Sequence, residues 1–152
     1  MLAHVALFLH LIAFAAYAGA AFAQQRFVAM SAAEGLAAPV RDAYERLAAS
    51  IVTMLELPAI FLSVLSGALF LAHDAGYLHQ PSWFHPKMAC VLVLLVLSHL
   101  EMFNARRIVR ARAAGGADAD IAARKRRHAI FGGIGALLVI VILALVSFVR
   151  TA

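Results

Sequence analysis

The stretch Leu137-Leu138-Val139-Ile140-Val141-Ile142-Leu143-Ala144-Leu145-Val146 holds only aliphatic side chains and one alanine. It lies inside a longer apolar window, residues 129–149. A helix needs roughly 20 mostly apolar residues to cross a bilayer, so this window reads as a membrane span. Three more windows of that length precede it. Residues 83–103 carry Lys87 and Glu101 near their ends, residues 51–72 carry one acid, Glu56, and residues 2–23 carry no Asp, Glu, Lys or Arg. Lipid offers backbone polar groups no partner, which favours helices. The expected fold is therefore all-α, an integral membrane four-helix bundle forming one domain over residues 1–152.

Composition points the same way. The chain is 64% hydrophobic and 14% charged, where a soluble domain carries about 25% charged residues. Disorder, a coiled coil and a disulfide scaffold are excluded. The single cysteine, Cys90, rules out an intramolecular disulfide and a Cys-based metal site. Ala21-Phe22-Ala23 before Gln24 resembles a signal-peptide cleavage site. No Lys or Arg precedes Arg26, however, and the apolar run exceeds the roughly 7–15 residues of a signal core, so the window is expected to persist as a helix.

The net charge of +5 is unevenly placed, with Arg106, Arg107, Arg110, Arg112, Arg124, Lys125, Arg126 and Arg127 all in one segment, residues 105–128. The link after the first span adds Arg26, Arg41 and Arg46, and the link between the second and third spans has no Lys or Arg. The positive-inside rule then puts the basic loops in the cytoplasm and both termini outside, in a bacterial inner membrane; Arg150 alone opposes this. Orientation and contact with anionic lipid account for these charges, so no nucleic-acid partner is expected. Residues 38–50 read as an amphipathic lead-in to the second span. Val40, Tyr44, Leu47 and Ile51 would form its stripe, with Asp42 pairing with Arg46.

Ionisable groups inside hydrocarbon cost at least ~2.5–3.5 kcal/mol each and usually have a partner or a task. His10 is the most central in the first span, about 12 Å deep at 1.5 Å per residue. Trp83-Phe84-His85-Pro86-Lys87 marks the start of the third span. Trp83 suits an interfacial anchor and Pro86 a first helical turn. Lys87 lies one turn inside, either snorkelling outward or serving a pocket. His85 and His99 are about 21 Å apart on one face, a spacing that would let imidazoles from other spans complete two stacked haems. Glu56 reads as a proton-handling carboxylate or the partner of an arginine, with Pro58 marking a kink; Glu101 is expected to pair with nearby arginines. His73, His79 and His128 read as span-end or loop residues. Ser63 and Ser66 are expected to bond back to helix carbonyls. Gly132, Gly133 and Gly135 would admit a close neighbour, a helix or a flat ring.

Several of these residues together resemble a known family. His10 is followed by Tyr17, Gly19 and Arg26-Phe27; the second span offers Glu45-Arg46-Leu47, Pro58-Ala59 and Gly67; the third opens Trp83-Phe84-His85-Pro86-Lys87. Over roughly residues 5–110 this is similar to the HemJ-type protoporphyrinogen IX oxidases, small four-span proteins of bacterial haem synthesis. The likeness implies a bound haem b and oxidation of protoporphyrinogen IX to protoporphyrin IX, with electrons passing to quinone or a respiratory partner. It implies that His10 and Lys87 are the essential pair. His10 would ligate the iron, with Lys87 or His85 as second-ligand candidates. Tyr17, Trp83 and Arg26 would complete the pocket, Arg26 as a headgroup anchor or a contact for a substrate propionate. The chain departs from the family at Tyr17, where Trp is usual, at Gln25, where Pro is usual, and in the fourth span, which lacks an Asn-Glu-x-Pro element.

Two other functions fit the same residues. One is a b-type cytochrome subunit using His85 and His99 for electron transfer. The other is a non-catalytic structural subunit, in a homo-oligomer or a larger membrane complex.

Overall fold

The computed structural model describes residues 2–73, 75–79 and 82–149. Among them, four helical rods are long and apolar enough to cross a membrane. Helix α1 is Leu2–Met30. Helix α2, Ala38–Ile51, runs through a π-helical turn, Val52–Glu56, into α3, Leu57–His73. A 3-10 turn, Ala75–His79, precedes α4, Phe84–Ala113. Helix α5 is Asp118–Ala144 and ends in a second π turn, Leu145–Val149. Arg150 lies outside the described residues.

The helices outrun the apolar windows at the arginine-rich end. The basic segment 105–128, expected as a loop, is helical except for residues 114–117. Alanine and arginine are strong helix formers, so nothing in that segment breaks the helix before the glycines. Gly115, with φ 68°, makes the sharp turn, and Gly35, with φ 70°, does the same between α1 and α2. The turn is also charge-matched. Arg110 and Arg112 occupy the last turn of α4, and Asp118 and Asp120 the first turn of α5, each favourable to its helix dipole.

The expected kink before Pro58 takes the form of the π turn. Proline has no N–H to offer the carbonyl four residues back, so the ladder widens there. The Leu57 N–H reaches back five residues to the Val52 carbonyl.

Helix α1 packs along α3 and also touches α2 and α5; α4 packs along α5 and touches α2, whereas α3 and α4 barely meet. Tyr17, Val52, Leu57, Ile60, Leu94, Met102 and Ile142 form the apolar core. Much of the hydrophobic surface faces out: Phe8, Leu11, Leu65, Leu92, Val96, Leu137 and Ile140 are all exposed. The most apolar of the four spans, in the fourth rod, is also the least buried. Such a belt would aggregate in water and is what a helix presents to lipid. The interior is correspondingly rich in polar groups, with Gln24, Glu56, Ser66, Ser98, Glu101 and His128 all buried.

Helix α2 forms where the lead-in was expected, but with a different buried face. Val40 and Leu47 are exposed, and Glu45 and Ala48 point inward. Tyr44 stacks on Phe27 of α1, ring centroids 5.9 Å apart. A small residue and a paired acid let α2 approach its neighbours closely, which the larger apolar stripe would prevent. Asp42 correspondingly lies 3.8 Å from Arg112 of α4 instead of pairing with Arg46.

Candidate functional site

Two polar centres lie along the bundle. The first is built on His10, near the amino-terminal end of α1. Its Nδ1 donates to the Ser63 carbonyl of α3 at 2.8 Å. The hydroxyls of Ser63 and Ser66 lie 3.4 and 3.5 Å from the same nitrogen. Ser66 also donates back to the Leu62 carbonyl at 2.7 Å, as a mid-helix serine does. Gly67 makes the approach possible, since a Cβ there would stand 3.3 Å from His10 Cε1. With Nδ1 carrying the proton, Nε2 keeps its lone pair. A metal-ligating imidazole is ordinarily prepared in this way, by a carbonyl acceptor behind it.

The charge of Lys87 acts on His10 from α4, so the two residues that the family resemblance singles out share one neighbourhood. Lys87 Nζ stands 5.9 Å from the ring centroid of Trp83. Trp83 is buried, a packed residue where an interfacial anchor was expected, and its ring meets Phe84 edge-on. His85 is exposed, against Phe84. His99 donates from Nδ1 to the Leu95 carbonyl of its own helix at 2.7 Å and packs edge-on against Phe61 of α3.

The second centre lies deeper, toward the arginine-rich end. Glu101 of α4 accepts from Gln25 at 2.6 Å and from Gln24 at 3.3 Å. His128 of α5 is fully buried and hydrogen-bonded through Nε2 to Gln24 Oε1. Gln25 also donates to the His128 carbonyl at 3.2 Å. Gly132 leaves the space that Gln25 fills; a Cβ there would overlap the amide. Glu56, at the end of the π turn, is fully buried beside Ser98 and Glu101. Tyr17 accepts from Ser98 at 3.4 Å. Among the described residues neither acid is paired with an arginine, contrary to the expectation for Glu101 and to one of the two readings of Glu56: the bundle interior offers amides and hydroxyls at their level.

A cavity of about 1050 Å³ opens between α1 and α5 beside this centre. Tyr17, Gln24, Gln25 and Glu101 form its polar inner lining, Ala18, Ala21, Gly133 and Ala136 an apolar wall, and Arg26, Arg41 and Arg126 its basic rim. Tyr17 and Arg26 thus belong to this cavity, whereas His10, Lys87, Trp83 and His85 lie toward the other end of the bundle.

The arginine-rich end is closed by ion pairs. Glu45 receives Lys125 at 2.6 Å and Arg112 at 3.1 Å, and Arg112 also binds Asp118 at 2.7 Å. Lys125 donates further to the Ser31 carbonyl at 2.9 Å, tying in the end of α1. The hydrogen bond and charge of Arg112 hold the Asp118 carboxyl below its ordinary range.

Sequence reasoning missed Gln24, Gln25, His128 and the role of Glu45. Gln24-Gln25 sits just before Arg26, and His128, just after an arginine run, reads as a span-end or loop residue, so neither position signals that it turns inward. The available signal was two acids, Glu56 and Glu101, inside apolar windows. No protein-family model matches the chain, nor does any curated protein or solved structure.

Proposed function

We propose that this protein is a haem b-binding membrane oxidoreductase of the protoporphyrinogen IX oxidase type, lying in a bacterial inner membrane with its arginine-rich end in the cytoplasm. One observation carries the reading: His10 is held by the Ser63 carbonyl in the tautomer that leaves Nε2 free to ligate a metal. A single imidazole of this kind fits a haem iron. When bound, the haem would supply one-electron redox chemistry, passing electrons to quinone or a respiratory partner. His10 would hold the iron, and Gly67 gives its ring room to sit against α3. Lys87 places a positive charge in the same neighbourhood, suited to a porphyrin carboxylate, and, deprotonated, would be a second ligand for the iron. The cavity between α1 and α5 would take the porphyrinogen, its carboxylates meeting the Arg26 and Arg41 rim while the small residues of the wall admit a flat ring.

A second reading has one observation in its favour. His99 donates from Nδ1 to a backbone carbonyl as His10 does, which equally frees its Nε2. That suits a b-type electron-transfer subunit. Absorption spectra of the purified protein separate the two. The oxidase reading expects a Soret band in the wild type, lost in His10→Ala and kept in His99→Ala. The reverse pattern favours the cytochrome reading, and no Soret band in the wild type rejects both.

A further inference from the structure

The buried polar centre has a property that haem binding does not explain. Glu56, in the π turn, and Glu101, of α4, lie beside each other in the bundle interior. They are 0% and 4% exposed. The groups facing them are Tyr17, Gln24 and Gln25 from α1, Ser98 from α4, and His128 from α5 by way of Gln24. None of these is a permanent cation. Nearer the arginine-rich end, half-buried Arg112 and buried Lys125 are committed to Glu45. Two carboxylates this close in a low-dielectric interior cannot both carry charge.

The hydrogen bonds are consistent with that. Glu101 accepts from two amides, enough to support one negative charge. Both oxygens of Glu56 are buried without a hydrogen-bond partner among the described residues. An ionised group so placed would pay a heavy desolvation cost, whereas a protonated one carries its own donor. His128 Nδ1 is likewise buried without a partner among the described residues. Its ring is tied to Glu101 through Gln24, so the cluster holds a spare proton-accepting nitrogen as well. Glu101 lines the cavity, and Glu56 does not.

We infer that Glu56 and Glu101 form a proton-holding carboxyl pair, together carrying at most one negative charge at neutral pH, with Glu101 exchanging their proton with water or a ligand in the cavity. On release, the Glu101 O–H bond breaks, the proton passes to an acceptor in the cavity, and the carboxylate left behind accepts a hydrogen bond from the Glu56 carboxyl. Uptake is the reverse. No electrons move, and the pair stands whether or not a haem is bound.

Infrared spectroscopy of the full-length protein in lipid nanodiscs tests this through the carbonyl stretch of a protonated carboxyl. The expected wild-type result is a band that persists at pH 7, far above the ordinary glutamate value of about 4.3. It should shift on transfer to D2O, because Glu101 reaches the cavity, and vanish in the Glu56→Gln/Glu101→Gln double variant. In Glu56→Gln alone, the remaining carboxyl should titrate at lower pH than in the wild type, because its like-charged neighbour is gone. An unchanged midpoint there would mean that the two do not share charge, and would overturn the pairing. Should the glutamine variants fail to fold, the wild type still decides. Absence of the band at pH 7, or a band inert to D2O, rejects the inference.

Discussion

Adjacent glycines in α5 differ in what they permit. An alanine Cβ at Gly132 would collide with Gln25, whereas Gly133 has nothing within 4 Å of that position. Replacing a helical glycine by alanine gains up to about 1 kcal/mol in propensity, so Gly133→Ala is expected to raise the unfolding temperature in detergent. Gly132→Ala gains the same amount but evicts Gln25, breaking its bonds to Glu101 and the His128 carbonyl. Two lost bonds at about 1 kcal/mol each, plus a carboxyl short of a donor, outweigh the gain. Net destabilisation of about 1–3 kcal/mol is expected, and thermal unfolding of the two variants side by side reads the difference in sign. The sequence displays both glycines and suggests close packing, but only the fold distinguishes them. The partner that matters lies 107 positions away on α1, and a glutamine before an arginine gives no hint that it turns inward.

At the scale of helices, Glu45 holds α2 against α4 and α5. Its side chain is 1% exposed, and Lys125 opposite is 9% exposed. A buried pair of this kind adds little over an apolar substitute, yet removing one partner strands the other and costs about 3–5 kcal/mol. Glu45→Gln should therefore lower stability by an amount in that range, and adding Lys125→Met should recover part of it. A double-mutant cycle on thermal midpoints measures the coupling. The Arg112–Asp118 contact across the α4–α5 turn behaves differently, because Asp118 is exposed. Its carboxyl is held below the ordinary 3.8, first by the hydrogen bond from Arg112 and then by its charge. A group whose folded value is depressed stabilises above its unfolded value and loses that contribution as pH falls through the folded one. Loosening of this turn is thus confined to pH below about 4. Limited proteolysis at the α4–α5 turn should show no change between pH 8 and 5 and faster cleavage only below that window. The presence of α2 was legible from residues 38–50, but its buried face was not. Hydrophobic periodicity assumes that apolar residues point inward, and beside a bilayer they point toward lipid.

For the molecule as a whole, the four spans were readable because insertion in a bilayer depends on local composition, which one window of sequence contains. The cavity and the carboxyl pair were not readable, because they depend on small and polar residues from separate helices meeting in space. Orientation stands between these cases, since it rests on where charges end up once the chain has folded. Glu45 and Asp118 engage Arg112, and Glu45 also engages Lys125. Arg26, Arg46, Arg106, Arg107, Arg110, Arg126 and Arg127 remain exposed at the same end. At the opposite end, among the described residues, Lys87 is the only Lys or Arg, and it is half-buried. An asymmetry that survives internal pairing is the quantity the positive-inside rule weighs, and it supports the proposed topology with the arginine-rich end in the cytoplasm. Labelling in spheroplasts tests it, in a Cys90→Ala background that removes the native thiol. Ala75→Cys, in the link between α3 and α4, should react with a membrane-impermeant maleimide in intact spheroplasts. Ala114→Cys, at the end of α4, should react only after permeabilisation. Labelling of Ala114→Cys alone in intact spheroplasts would invert the topology, moving the Arg26 and Arg41 rim of the cavity to the outer face and counting against the proposed entry of substrate from the cytoplasm.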